Sequence, residues 1–138
     1  ANHLPQFFAD VAIQHHGTLT IRYFYSKALK MYGGNVNKED FSYRGPKPQS
    51  KIAAIIMIAD ASEAAVRSIG NKTPEEVEKR VRDLIEERMN QEQFAECDIT
   101  MADLTVRAYI INVWITLPFI TGRKTRNKAI KNAVKKAV

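Results

Sequence analysis

The sequence of 138 residues predicts an all-α fold. Apolar residues recur at spacings of three and four along most of the chain, which is the period of one face of an α-helix. No stretch alternates between apolar and polar residues for long enough to predict a β-strand. Glycine and proline interrupt the helical pattern at intervals, and these interruptions divide it into separate helices.

The first two predicted helices flank a His-His-Gly-Thr motif at residues 15–18. The first helix begins near Pro5, because proline suits a first helical turn, and it runs to the histidines. Gly17 can end this helix in a left-handed conformation. The second helix is expected over residues 18–32, because two glycines follow it.

A loop at residues 35–49 separates these helices from the next two. Pro46 and Pro48 fix the backbone and remove donors, so the loop should be stiff. The third helix is expected over residues 50–69, up to a glycine. The fourth begins at Thr73 with a capping box, has proline at its first position, and ends near Gln91. Its many charged residues predict a solvated face without a catalytic role.

The last third of the chain predicts a fifth helix over residues 100–117, ended or kinked by Pro118. The apolar run at 108–121 is shorter than the ~20 residues that span a bilayer. A sixth, amphipathic segment is expected from Lys128 onward.

Charge divides the chain into a helical domain at residues 1–122 and a basic tail at 123–138. The tail holds seven of the 21 basic residues and no acid, so the domain carries 14 bases against 15 acids. Such a tail could contact nucleic acid or an anionic membrane, or it could simply be solvated. A single cysteine excludes a disulfide framework and favours a reducing compartment.

His15 and His16 are candidate metal ligands, because imidazole commonly binds transition metals. Neighbouring helical residues point about 100° apart, so we expect one ring to bind a metal ion and the other to contact a second ion or a substrate phosphate. Taken alone, the pair also fits two ordinary polar residues at a helix end.

Asp60 lies in an otherwise apolar stretch of the third helix, where an unpaired buried charge would cost several kcal/mol. Steps of three and four place Glu63 and Arg67 on the same helical face. Arg67 could pair with Glu63, which leaves Asp60 to find another cation. That cation could be a metal ion. Equally, Asp60 could cap a helix or form a salt bridge with a basic residue within the core.

Three stretches carry a resemblance to a known family. They are His-His-Gly-Thr at 15–18, Asp-Phe-Ser-Tyr-Arg-Gly-Pro-Lys-Pro-Gln-Ser-Lys at 40–51, and Ala-Asp-Ala-Ser-Glu-Ala-Ala-Val-Arg-Ser at 59–68. They resemble the HD-domain phosphodiesterases of the membrane-anchored PgpH type, and the resemblance extends over about residues 1–110. It implies a cytoplasmic all-α HD domain that hydrolyses cyclic di-AMP at a two-metal site containing iron or manganese.

The resemblance assigns His15, His16 and Asp60 as metal ligands. The family also uses an earlier histidine, a His-Asp dyad and a further histidine, and none of these has a counterpart here, since the remaining histidine is His3. The chain therefore resembles the second half of an HD domain. We expect it to be inactive in isolation and to need either the missing half or a second copy of itself.

The loop supplies candidates for substrate binding. Arg44 and Lys47 are expected to contact nucleotide phosphates, and Tyr43 is expected to stack on a base. Glu63 and Arg67 are expected to position Asp60 without binding the metal themselves. The alternative function is a non-catalytic helical module that binds an anionic partner through its basic end.

Overall fold

The computed structural model describes residues 5–70 and 73–104. Several predicted features lie outside the described residues. They are the part of the fifth helix after Leu104, its end at Pro118, the sixth segment and the basic tail. No helix in the described part of the chain is both long enough and apolar enough to cross a membrane.

Most of the described residues are helical and none lies in a strand, which confirms the predicted all-α class. The helices are α1 at Gln6–Gln14, α2 at Arg22–Tyr32, α3 at Lys51–Arg67 and α4 at Pro74–Asn90, with a short 3-10 helix at Lys38–Phe41. Residues 101–104 are also helical.

Side-chain caps fix the starts of α3 and α4. The Ser50 hydroxyl accepts a hydrogen bond from the backbone N–H of Ala53 at 3.2 Å. The Thr73 hydroxyl accepts one from the N–H of Glu76 at 3.3 Å, with Pro74 at the first helical position as predicted. Each cap satisfies a backbone donor that has no partner within the helix.

The predicted helix start at Thr100 is confirmed by a reciprocal cap. The N–H of Asp103 donates to the Thr100 hydroxyl, and the N–H of Thr100 donates to the Asp103 carboxylate, each at 3.1 Å. Lys51 lies 3.0 Å from the same carboxylate. The hydrogen bonds from Thr100 and Lys51 lower the pKa of Asp103 to about 2.

The predicted start of α2 is wrong by four residues. The helix begins at Arg22 because the preceding segment pairs with the loop instead. The N–H of Ile21 donates to the carbonyl of Phe41 at 2.7 Å, and the N–H of Tyr43 donates to the carbonyl of Leu19 at 2.9 Å. This pairing occupies backbone groups that a helix would need, and it places Tyr43 beside the His-His-Gly-Thr motif.

The hydrophobic core lies mainly between α3 and α4. Its buried side chains come from one face of each helix and from the start of the last helical segment: Ile58, Val66, Val77, Val81, Leu84, Ile85 and Leu104. Helix α1 packs against α3 without burying any complete residue. Helix α3 therefore connects the core on one side with the end of α1 on the other.

Candidate metal centre

The two histidines lie together because α1 ends before them. The last helical residue is Gln14, and His15 is the C-cap. Gly17 then adopts a φ of +53°, which reverses the chain. The ring centroids of His15 and His16 are 3.9 Å apart. The expectation that a 100° helical step would separate the rings is wrong, since His16 is not part of a helix.

Helix α3 brings Asp60 to the two histidines. One ligand atom from each of His15, His16 and Asp60 lies within 4.8 Å of the other two. This separation is close to the diameter of a first coordination sphere, about 4 Å for imidazole and carboxylate ligands. Imidazole nitrogen and carboxylate oxygen are also a donor set that suits divalent transition metals. The three residues singled out from the sequence therefore form one cluster that could hold a metal ion.

Asp60 is exposed, so the expectation of a buried, uncompensated charge is wrong. Its neighbours Met57 and Ile58 point into the core, while Ile56 is 41% exposed on the same side as the carboxylate. The helical period, rather than the apolar sequence around it, decides where Asp60 points. The case for Asp60 as a metal ligand therefore comes from its short distance to the histidines and not from burial of its charge.

The His15 ring is held with one nitrogen free. Its Nδ1 lies 2.9 Å from the carbonyl oxygen of Ala12 and 3.2 Å from that of Val11. Carbonyl oxygens only accept hydrogen bonds, so Nδ1 must carry the proton. The lone pair is then on Nε2, which is the arrangement found in most metal-binding histidines.

The His16 ring is packed between His15 and Tyr43. It stacks on Tyr43 with a centroid distance of 4.3 Å and an interplanar angle of 16°. Partial burial, and then the charge of His15, lower the pKa of His16, while Asp60 acts in the opposite direction. The neutral imidazole, which is the form that binds metal, is thereby favoured.

The predicted substrate-binding residues lie on the loop beside this cluster. One face of Tyr43 is taken by His16, and the residue remains 38% exposed. Arg44 is exposed and Lys47 is partly exposed, and neither forms an ion pair with another described residue. The loop is close to the cluster, and the roles of these three residues in binding substrate remain predictions.

The predicted pair between Glu63 and Arg67 is present on α3. The Arg67 Nε donates to Glu63 at 3.2 Å, and a second guanidinium nitrogen contacts the other carboxylate oxygen. Both side chains are largely exposed. Arg67 therefore has its own partner and leaves Asp60 available, and support of Asp60 by this pair remains a prediction.

Gln93 has a structural role that the sequence did not indicate. Its side chain is 3% exposed and lies beneath the histidine turn. Its Oε1 accepts from the N–H of Thr18 at 3.0 Å, and its Nε2 donates to the Thr18 hydroxyl at 2.9 Å and to the carbonyl of Gln91 at 3.1 Å. Gln93 and Thr18 are 75 positions apart, so no local pattern could have revealed the contact.

We expect Gln93→Leu to lower the free energy of unfolding by about 1–3 kcal/mol, because it removes the hydrogen bonds that the buried Gln93 side chain makes with Thr18. Urea unfolding measures this change, and manganese affinity should fall as well, because the turn that carries the histidines loosens. Gln91→Leu is the control, since that side chain is exposed and should change stability little. Equal effects of the two variants would contradict the assigned role.

Most of this chain is similar in sequence to two curated phosphodiesterases. It is 51% identical over 100 residues to the cyclic-di-AMP phosphodiesterase PgpH of Bacillus subtilis, an alignment that covers 72% of this chain and 14% of that protein. It is 45% identical over 105 residues to PgpH of Listeria monocytogenes, covering 76% of this chain and 14% of that protein. The chain thus spans about a seventh of the length of these relatives. No family model matches the sequence.

The fold also matches a solved structure. The HD domain of the Listeria monocytogenes phosphodiesterase PgpH, crystallised with cyclic di-AMP, aligns with a TM-score of 0.77 at 40% sequence identity. The alignment covers 83% of this chain and 53% of that one. A second crystal structure of the same HD domain aligns with a TM-score of 0.74.

Proposed function

We propose that this chain, which is homologous to the HD domain of the PgpH cyclic-di-AMP phosphodiesterases, supplies part of a divalent metal centre that hydrolyses a cyclic dinucleotide. The observation that carries the proposal is the convergence of His15, His16 and Asp60 within 4.8 Å. These side chains come from two elements that are far apart in sequence, and the fold brings their ligand atoms together.

We assign separate tasks to the three ligands. Nε2 of His15 and the carboxylate of Asp60 would hold one ion, for which iron and manganese are the candidates. His16 would contact a second ion or a phosphate oxygen of the substrate. When bound, divalent ions lower the pKa of a water molecule and stabilise the charge that develops on a phosphate. Three protein ligands can hold one ion, so a two-metal site needs ligands in addition to these.

The loop would bind the substrate. Arg44 and Lys47 would supply cationic groups that pair with phosphate oxygens. The face of Tyr43 that does not contact His16 could stack on a base. Glu63 and Arg67 would keep the neighbouring part of α3 electrically balanced, so that Asp60 is free to bind metal. A cytoplasmic location and a membrane-anchored parent protein belong to the same proposal.

A chimera with the Listeria HD domain tests this function directly. Residues 5–104 of this chain would replace the matching part of that domain, and hydrolysis of cyclic di-AMP would be followed with added manganese. We expect the chimera to hydrolyse the substrate and Asp60→Asn to slow it by at least about a thousandfold, because an ion that stabilises the transition state loses a ligand.

The same chimera carrying Asp83→Asn is the control, since this exposed carboxylate on α4 is remote from the cluster in sequence and takes no part in it. A chimera that folds and binds manganese but does not hydrolyse cyclic di-AMP would contradict the proposal. So would a chimera whose activity is unchanged by Asp60→Asn.

A further inference from the structure

A second concave site lies where α2, α3 and α4 meet. It is an open cavity of about 480 Å³, which is within the usual size range for small-molecule sites. Small apolar side chains, among them Ala61 and Ala65, form part of its wall. None of the candidate metal ligands, and none of the three candidate substrate residues on the loop, lines this cavity.

The cavity is strongly cationic. Arg22, Lys38, Arg80 and Arg88 all line it. Glu87 forms ion pairs with two of them, Arg22 and Arg88, and so one carboxylate serves two guanidinium groups. Arg80 and Lys38 form no ion pair with any residue that the structure describes.

The 138-residue sequence holds no acidic side chain outside the described residues. All 15 aspartate and glutamate residues lie within residues 5–70 and 73–104. The remaining 40 positions contain none, since they comprise residues 1–4, 71–72 and 105–138. Among the described acids, Glu87 is the one that pairs with cations of the cavity. An external anion would balance the charge of the remaining cavity cations.

Arg88 shows most clearly that this balance is incomplete. Its side chain is only 14% exposed, and its Nε is buried without a hydrogen-bond partner. Burial, and then the charges of Arg22 and Arg80, lower the pKa of Arg88. The expectation that the charged residues of α4 form a wholly solvated face is wrong at this position. A buried guanidinium donor without an acceptor is costly, and the positive charge of Arg88, a residue that lines the cavity, favours an anion nearby.

We propose that this cavity binds a phosphate-bearing small molecule. Guanidinium groups carry the charge opposite to that of phosphate, and the spacing of their N–H donors suits two phosphate oxygens. The cavity is larger than a phosphate ion, and its alanine-lined wall offers apolar surface to the rest of a ligand such as a nucleotide. The site is separate from the metal centre, and the proposal does not depend on the proposed phosphodiesterase function.

Isothermal titration of the chain with inorganic phosphate and with adenosine monophosphate, in low salt and with a chelator present, tests this proposal. We expect both ligands to bind saturably. The nucleotide should bind more tightly than phosphate, because the apolar wall offers contact area to its nucleoside part. Arg80→Gln should weaken binding by about tenfold or more, because it removes a charge-assisted contact. Arg82→Gln should bind like the unmodified chain, since Arg82 pairs with Glu78 on the exposed surface of the same helix.

Two further variants make the result unambiguous. Lys38→Gln removes a second cavity cation from a different element and should also weaken binding. His15→Ala should leave binding unchanged, which separates this cavity from the metal centre. The proposal is overturned if no saturable binding occurs, if Arg82→Gln weakens binding as much as Arg80→Gln, or if His15→Ala abolishes it.

Discussion

Asp60→Asn is expected to lower the affinity of the chain for manganese by at least about a hundredfold. Asparagine has nearly the same shape as aspartate, but it lacks the negative charge that a divalent cation prefers. Loss of groups that only support a metal ligand already costs 10–100-fold in affinity, so loss of a ligand should cost at least as much. Titration calorimetry with manganese measures the change.

The control for this experiment is Asp83→Asn, which removes the same charge from an exposed position on α4. It should change manganese affinity less than about twofold, because exposed charges that do not touch the ion are screened. If the two variants weaken binding equally, the chain attracts manganese through its overall charge and has no specific site at Asp60. That result would contradict the assignment of Asp60 as a ligand.

Gly17→Ala is expected to lower the free energy of unfolding by about 2–4 kcal/mol. The φ of +53° at Gly17 costs a residue with a side chain about 1 kcal/mol. A Cβ at this position would also lie 2.3 Å from Oε1 of Gln93 and 2.9 Å from Cε of Met57. Relief of such overpacking typically costs 1–3 kcal/mol, and here it would displace the side chain that holds the histidine turn. Urea unfolding measures the loss, and metal affinity should fall with it.

Two other glycines separate the contributions of strain and crowding. Gly33 also has a positive φ, of 71°, but a Cβ there would meet nothing within 4 Å, so Gly33→Ala reports backbone strain alone. Gly34 has neither a positive φ nor a neighbour within 4 Å, and Gly34→Ala should be nearly neutral. If Gly17→Ala is as well tolerated as Gly34→Ala, the packing of the histidine turn on Gln93 is not as the structure shows.

The helices were predictable where local chemistry determines them. Caps such as Thr73 and Thr100 act over three residues, so the sequence contains the whole signal. The start of α2 was not predictable in this way, because the segment before Arg22 is held by hydrogen bonds to a loop about 20 residues later. Long-range pairing of this kind overrides the local helical pattern.

The residues of the candidate metal centre could be named from the sequence, but their local structure and burial could not be predicted. The sequence indicated His15, His16 and Asp60, yet it wrongly predicted rings pointing apart and a buried carboxylate. The rings do not point apart because α1 ends before His16. Asp60 is exposed because α3 is packed on only part of its surface. Gln93 and Arg88 could not be assigned at all, because their importance comes from burial, which only the folded chain reveals.

We predict that His15 and Asp60 bind one inorganic cation at a site beside His16, and anomalous diffraction can locate that cation. Crystals of the chain grown with manganese would be measured on both sides of the manganese absorption edge. The structure predicts an anomalous peak within bonding distance of Nε2 of His15 and the carboxylate of Asp60, about 2.0–2.3 Å. A crystal structure in which manganese binds elsewhere, or in which these side chains point away from one another, would contradict the claim.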